Sequence, residues 1–208
     1  SVDVSVTATA VSGAFANLNT VYVTNVANYV NLGDENVTIT DTTSASNVNI
    51  ILGATSGNVT ATVSADTAAN LNSALTNATS ADALTLTITD TSLSSLTNLL
   101  ALDTKTSVAV NAASITSITE IYANLNTAYS SAGIIGLGNE AVTVTDTTLT
   151  STALNNLNAY TSGTITLNNA TTINVANGET LNLGDFTVSN SVTINDSTGD
   201  EIITGTSG

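Results

Sequence analysis

The chain has 208 residues, of which 42% are hydrophobic but only 3% aromatic and 8% charged, so its core must be built from Val, Ile, Leu and Ala. One cation, Lys105, stands against 16 acidic residues, a net charge of −15, which leaves no basic surface to meet nucleic-acid phosphates or an anionic membrane. His and Cys number 0, which excludes Ser–His and Cys–His catalysis, disulfides and the common zinc sites.

Period-two alternation of β-branched residues predicts strands at Val2–Val6, Val37–Asp41, Val59–Val63, Leu84–Asp90, Val108–Asn111, Val142–Asp146 and Thr164–Asn168. Helical spacing predicts crossovers between them. Val11, Phe15, Leu18 and Tyr22 form one stripe, and Ile118, Tyr122, Leu125 and Tyr129 form another. Ser117-Ile118-Thr119-Glu120 reads as a capping box at the start of the second stripe, and Gly133 as its stop. Shorter helices are expected around Leu93, Leu96, Leu99 and Leu100, and around Leu149, Ala153, Leu154 and Leu157. From about Thr171 the helical signal ends, and short apolar pulses at Ile173/Val175, Leu181/Leu183, Phe186/Val188, Val192/Ile194 and Ile202/Ile203 take over.

The chain repeats itself at about 106 residues. Ala16-Asn17-Leu18-Asn19-Thr20 recurs as Ala123-Asn124-Leu125-Asn126-Thr127, and Gly33 to Thr43 recurs as Gly138 to Thr148. Thr55-Ser56-Gly57 returns as Thr161-Ser162-Gly163, and a shorter third copy contains Ala69-Asn70-Leu71-Asn72 and Leu86 to Ser92. Repeats of this kind bury an apolar face only by stacking on their neighbours. The expected fold is an α/β repeat solenoid, parallel strands linked by short helical crossovers with leucine-rich-repeat-like geometry. Residues 1–170 would form this part, and residues 171–208 a small all-β solenoid or cap.

In each strand the alternation turns Val37, Ile39, Val142 and Val144 inward. It leaves Thr38/Thr40, Thr87/Thr89 and Thr143/Thr145 outward as a candidate ligand face, a solvated sheet being the plainer reading. Thr-x-Thr arrays of this kind resemble ice-binding β-solenoids. The strand-end residues Asp41, Asp90 and Asp146 read as helix N-caps. Asp34 and Glu35 stand in a Gly turn that is either structural or part of an oxygen-rich calcium site.

The C-terminal Gly199-Asp200-Glu201-Ile202-Ile203-Thr204-Gly205 resembles the nonapeptide of RTX proteins, in which Gly-rich turns and an Asp bind calcium between stacked β-coils. Together with the acidic, Cys-free, Thr- and Asn-rich repeats, it makes the chain similar to segments of giant RTX-type and S-layer-like surface proteins of marine bacteria and cyanobacteria. That resemblance implies secretion, a calcium-rich exterior and a place on the cell surface; the candidate Ca2+ residues are Asp34 and Glu35 of the Gly turn and Asp196, Asp200 and Glu201 at the C-terminal end. The expected role is a structural module of an S-layer, an extracellular filament or an adhesin stalk that associates with itself or with other surface components. The alternative is a module binding ice or carbohydrate through its Thr face. Neither catalysis nor membrane insertion is expected.

Overall fold

The computed structural model describes residues 4–196 and 199–205. The elements run β1 (Val4–Ser5), β2 (Ala10–Gly13), α1 (Phe15–Asn19), β3 (Tyr29–Val30), β4 (Asn36–Ile39), α2 (Ala45–Leu52), β5 (Val59–Thr62), α3 (Ala68–Ala74), β6 (Ala83–Thr85), β7 (Ser92–Leu93) and α4 (Thr97–Asp103). There follow β8 (Val110–Asn111), β9 (Ser117–Glu120), α5 (Tyr122–Ser130), β10 (Ile134–Ile135), β11 (Ala141–Val144), β12 (Thr148–Thr150), α6 (Ser151–Tyr160), β13 (Ile165–Leu167), β14 (Thr172–Val175), β15 (Thr180–Asn182), β16 (Phe186–Val188), β17 (Thr193–Asp196) and β18 (Ile202–Thr204). The fold is α/β, and every strand pairing is parallel. Parallel neighbours require a crossover; helices lie in those that begin before β13, whereas no α-helix lies between β13 and β16, β14 and β17 or β15 and β18.

The chain divides into two compact units. The first comprises residues 1–89, 98–112 and 132–135, and the second comprises 90–97, 113–131 and 136–208. In the first, a sheet of order β2-β4-β5-β6 carries Val37, Ile39, Val59, Ala61 and Leu84 into a core completed by Leu18, Val48, Ile51 and Leu71 from the helices. The pairs β1–β3 and β8–β10 belong to the same unit. In the second, a sheet of order β16-β13-β11-β9-β7 brings Ile118, Val142, Val144, Ile165 and Leu167 against Leu125 and Leu157. A three-stranded sheet, β12-β14-β17, and the pair β15–β18 complete it.

The helices start later than the apolar stripes predict. Val11 lies on β2 and Ile118 on β9, so α1 begins at Phe15 and α5 at Tyr122. Leu93 and Leu149 likewise belong to strands β7 and β12. A core-facing strand residue just before a helix points into the same core as the helix stripe, so it extends the i, i+4 pattern without being helical. The expected capping box is therefore a strand: Ser117–Glu120 pairs with Ala141–Val144. The helix ends at Ser130, ahead of Gly133. Val2, the first residue of the first predicted strand, lies outside the described residues.

The first copy of the long helix is also broken where the second is regular. After α1 the chain passes through a π-helical turn at Thr20–Thr24 and a 3-10 turn at Val26–Asn28. The buried Tyr22 and Glu35 that meet in this copy are 13 residues apart, whereas their counterparts Tyr129 and Glu140 are 11 apart. The π and 3-10 turns lie in this longer copy, and the tyrosine still reaches its partner.

Candidate functional site

The acidic residues fall into three environments. The first lies at helix starts. Asp41 accepts the backbone N–H of Phe15 at 2.7 Å, and Asp146 accepts that of Tyr122 at 2.7 Å. Of the three expected caps, Asp41 and Asp146 are thus caps, but each closes the helix of the preceding segment. The helix that follows Asp41 is capped instead by Ser44, whose hydroxyl accepts the N–H of Asn47. Glu120 takes the N–H groups of Leu96 and Ile121, both at 2.9 Å. Glu179 accepts from the hydroxyls of Ser151 and Thr152 at the start of α6. Sequence reading placed Glu120 in a capping box of its own segment and missed its bond to Leu96, and it missed Glu179, because these acids reach back to a helix start in an earlier segment.

The second environment is a buried turn. Glu35 is fully buried, and its Oε2 accepts from the Tyr22 hydroxyl at 3.0 Å and the Gly33 N–H at 2.8 Å. Its Oε1 is buried without a hydrogen-bond partner among the described residues. Burial alone raises the Glu35 pKa, but the N–H of Gly33 and the Tyr22 hydroxyl outweigh it and hold the carboxyl below its usual range. Burial, reinforced by the hydrogen bond and the charge of Glu35, pushes the Tyr22 hydroxyl well up.

Glu140 repeats the arrangement with the Tyr129 hydroxyl at 2.9 Å and the Gly138 N–H at 2.8 Å. In both copies a Thr hydroxyl, Thr55 or Thr161, donates to the glutamate's own carbonyl at 2.7 Å. The following Gly57 or Gly163 lies so close to that carbonyl that a Cβ has no room. A third version uses Asp82, buried and bonded to the N–H groups of Val59 and Thr79, with Thr106 and Ser107 closing on its carbonyl.

The third environment is the exposed acids. Asp34 is exposed and borders a recess of about 220 Å3 with Val6, Thr7, Ala8, Thr9 and Asn31. The structure therefore separates Asp34 from Glu35, whose carboxylate turns inward. At the C-terminal end, Asp196 and Glu201 come together. Burial, then the charge and hydrogen bond of Glu201, raises the Asp196 carboxyl above its ordinary pKa. Asp200 is exposed nearby in sequence. Among the described residues no three Asp or Glu side chains converge as a metal-binding group. Calcium takes six to eight oxygens, so Asp196 and Glu201 can supply part of a shell but not all of it.

The Thr residues line up in ranks. Thr119, Thr143, Thr166 and Thr187 are in register across β9, β11, β13 and β16. In the first unit Ser12, Thr38 and Thr60 align, as do Thr62 and Thr85. Thr38, Thr40 and Thr89 are exposed, whereas Thr87, Thr143 and Thr145 are half-buried. Aromatic residues meet on the helices of the second unit: Tyr129 stacks on Tyr160 with ring centroids 5.4 Å apart, and the Tyr122 and Tyr160 hydroxyls share Asn126. No helix among the described residues is long and apolar enough to cross a membrane.

No protein-family model matches this chain, and comparison with curated proteins and with solved structures finds no significant match.

Proposed function

We propose that this chain is a structural module of an extracellular surface protein, in which stacked strand–helix segments form an α/β solenoid and the module associates with further copies. The observation that carries this reading is the use made of the recurrent acids. Asp41, Asp146 and Glu179 bind a neighbouring segment's helix start, and Glu35, Asp82 and Glu140 fill turns. The bonds of Asp82, Asp146, Asp41 and Glu179 join residues 23 to 28 positions apart, the spacing of one segment to the next, whereas Glu35 and Glu140 bind the glycine of their own turn. Groups that could have served catalysis serve the scaffold instead, and the module is not an enzyme.

Calcium is the proposed cofactor. The single Lys105 donates to the Asn72 carbonyl at 2.8 Å, so the net charge of −15 is to be balanced by cations from solution. Asp196 and Glu201 are where a divalent ion gains most, with Asp200 and, elsewhere, Asp34 as exposed contributors. The test is negative-stain electron microscopy of the chain in calcium and in chelator. Ordered filaments or sheets that dissolve in chelator are expected. Dispersed particles in both conditions would overturn the assembly reading, and assemblies indifferent to chelator would overturn the calcium dependence.

One observation favours a second reading, a ligand face. The rank of Thr119, Thr143, Thr166 and Thr187 repeats a hydroxyl and methyl at the strand spacing of about 4.8 Å, which suits an ordered water layer. Thermal hysteresis at high protein concentration would support it, and its absence would remove the ice version.

A further inference from the structure

The strand motif that the repeats share occurs four times: Val37-Thr38-Ile39-Thr40-Asp41, Leu86-Thr87-Ile88-Thr89-Asp90, Val142-Thr143-Val144-Thr145-Asp146 and Val192-Thr193-Ile194-Asn195-Asp196. Three of the four receive a later parallel strand on one edge. β4 receives β5, and β11 receives β13. The Leu86 copy receives β8, with the Asn111 N–H donating to the Leu86 carbonyl and the Ile88 N–H donating to the Asn111 carbonyl, both at 2.9 Å. The fourth copy lies on β17. It pairs with β14 on one edge, and among the described residues no strand pairs with the other.

Backbone parity shows which groups that open edge presents. The Thr193 N–H donates to Thr171 at 2.8 Å, so residue 193 faces the neighbours on the β14 side. In a parallel strand alternate residues face opposite edges, so the Val192 carbonyl and the Ile194 N–H face outward. These are the counterparts of the Leu86 carbonyl and the Ile88 N–H.

The complementary edge is on the same chain. β1 pairs with β3 as β8 pairs with β10: Val4 is opposite Tyr29 and Ser5 opposite Val30, while Val110 is opposite Ile134 and Asn111 opposite Ile135. β1 is thus the first copy of β8. Val110, covered on its outer edge by the Leu86 strand, is 0% exposed, whereas Val4 is 54% exposed. The Val6 N–H donates to Val30 at 2.9 Å, so Val4 and Val6 face β3 and the Ser5 N–H and carbonyl face the open edge.

We propose that β1 of a second copy of this chain adds in parallel to β17, with Ser5 opposite Thr193. The Ser5 N–H donates to the Val192 carbonyl, and the Ile194 N–H donates to the Ser5 carbonyl. A second copy is the occupant because both halves of the contact are present on one chain and reproduce a pairing the chain already makes internally. The inference rests on the self-association reading above and names its surface. An apolar cavity of about 350 Å3, lined by Val192, Ile194, Ile173 and Phe186, gives the second copy's Val4 an apolar seat. β1 and β17 are different surfaces, so the contact is head-to-tail and repeats from copy to copy rather than closing as a two-fold dimer.

The test is analytical ultracentrifugation of the full chain over a range of concentrations in calcium. The wild type should grow into long assemblies. Ser5→Pro, which removes the outward N–H at an edge where proline is tolerated, should stay monomeric. Mixed in equal amount with wild type it should shorten the assemblies, because it can receive a strand but not donate one. Mixed with Ile194→Pro, blocked at the other edge, it should give 1:1 dimers and nothing larger. Hydrogen exchange on the wild type reads the same edge without substitution: the Ser5 and Ile194 amides should slow about tenfold or more on assembly. If Ser5→Pro assembles as the wild type does, or those amides do not slow, the edge pairing is overturned and self-association stands. If the wild type is monomeric at every concentration, both are overturned.

Discussion

The carboxylate of Asp146 accepts the backbone N–H of Tyr122 at 2.7 Å, so a strand end closes the helix that begins 24 residues before it. Asp41 does the same for Phe15 across 26 residues. A cap supplied from another segment satisfies an orphan helix N–H and complements the helix dipole, and it also fixes the stacking of one segment on the next. Asp146→Ala should cost about 1 kcal/mol, in the range of ordinary caps, and lower the Tm by roughly 2–4 °C for a chain of this size. Thermal unfolding followed by circular dichroism checks this, and an unchanged Tm would show that the cap contributes nothing.

Burial separates two substitutions within the second unit. Leu125 on α5 is fully buried, whereas Thr143 on β11 is half-buried in an outward rank. Leu125→Ala should cost roughly 2–5 kcal/mol. Thr143→Ala should stay within about 0.5 kcal/mol. Urea titrations measure both, and equal small effects would contradict the inward and outward assignment of this unit.

Much of this architecture is written in the sequence as alternation. Val37/Ile39 and Val142/Val144 face the core and Thr38 and Thr40 face water, as period two requires, because a strand has only two faces. The helix starts were not legible, since Val11 and Ile118 continue the helical spacing from the end of a strand. The buried glutamates were not legible either. Tyr22 and Tyr129 read as apolar docking residues, and nothing local ties them to Glu35 and Glu140. The available signal was joint recurrence: Tyr, Gly-x-Glu and Thr-Ser-Gly return together in the second copy. Asp82 lacks the glycine of that pattern, and the Val192 copy differs by Asn195, so both escaped the repeat comparison.

The recurring Thr-Ser-Gly has a steric reason that a single methyl group tests. A Cβ at position 163 would run into the backbone carbonyl of Glu140, and backbone cannot move aside as a side chain can. At Gly13 the nearest atoms to such a Cβ are the Leu18 side chain at 3.8 Å, an ordinary contact. Gly163→Ala should therefore destabilise by about 1–3 kcal/mol, as overpacking does. Gly13→Ala should be neutral or stabilise by up to about 1 kcal/mol through the unfolded chain. Similar losses at both positions would show that backbone freedom, not close approach, selects these glycines.

Acid should loosen the scaffold through the capping carboxylates. The hydroxyls of Ser151 and then Thr152 lower the pKa of Glu179 below its ordinary 4.5. At Glu120, burial acts upward, but the N–H groups of Leu96 and Ile121 prevail and lower it as well. A carboxyl whose pKa is lower folded than unfolded adds stability that is fully present above the unfolded value. That stability is lost as the pH falls through the folded value, where both states are protonated. Asp196 has the opposite sign: its raised pKa contributes below the unfolded value and fades as the pH rises through the folded one. Glu179→Gln, which keeps the size and removes the charge, isolates one of these groups. Its Tm should lie below that of the wild type at about pH 7, and the gap should narrow as the pH falls below the ordinary 4.5 and through the lowered folded value. A gap that stays constant across this range would mean that Glu179 holds α6 by shape rather than by charge.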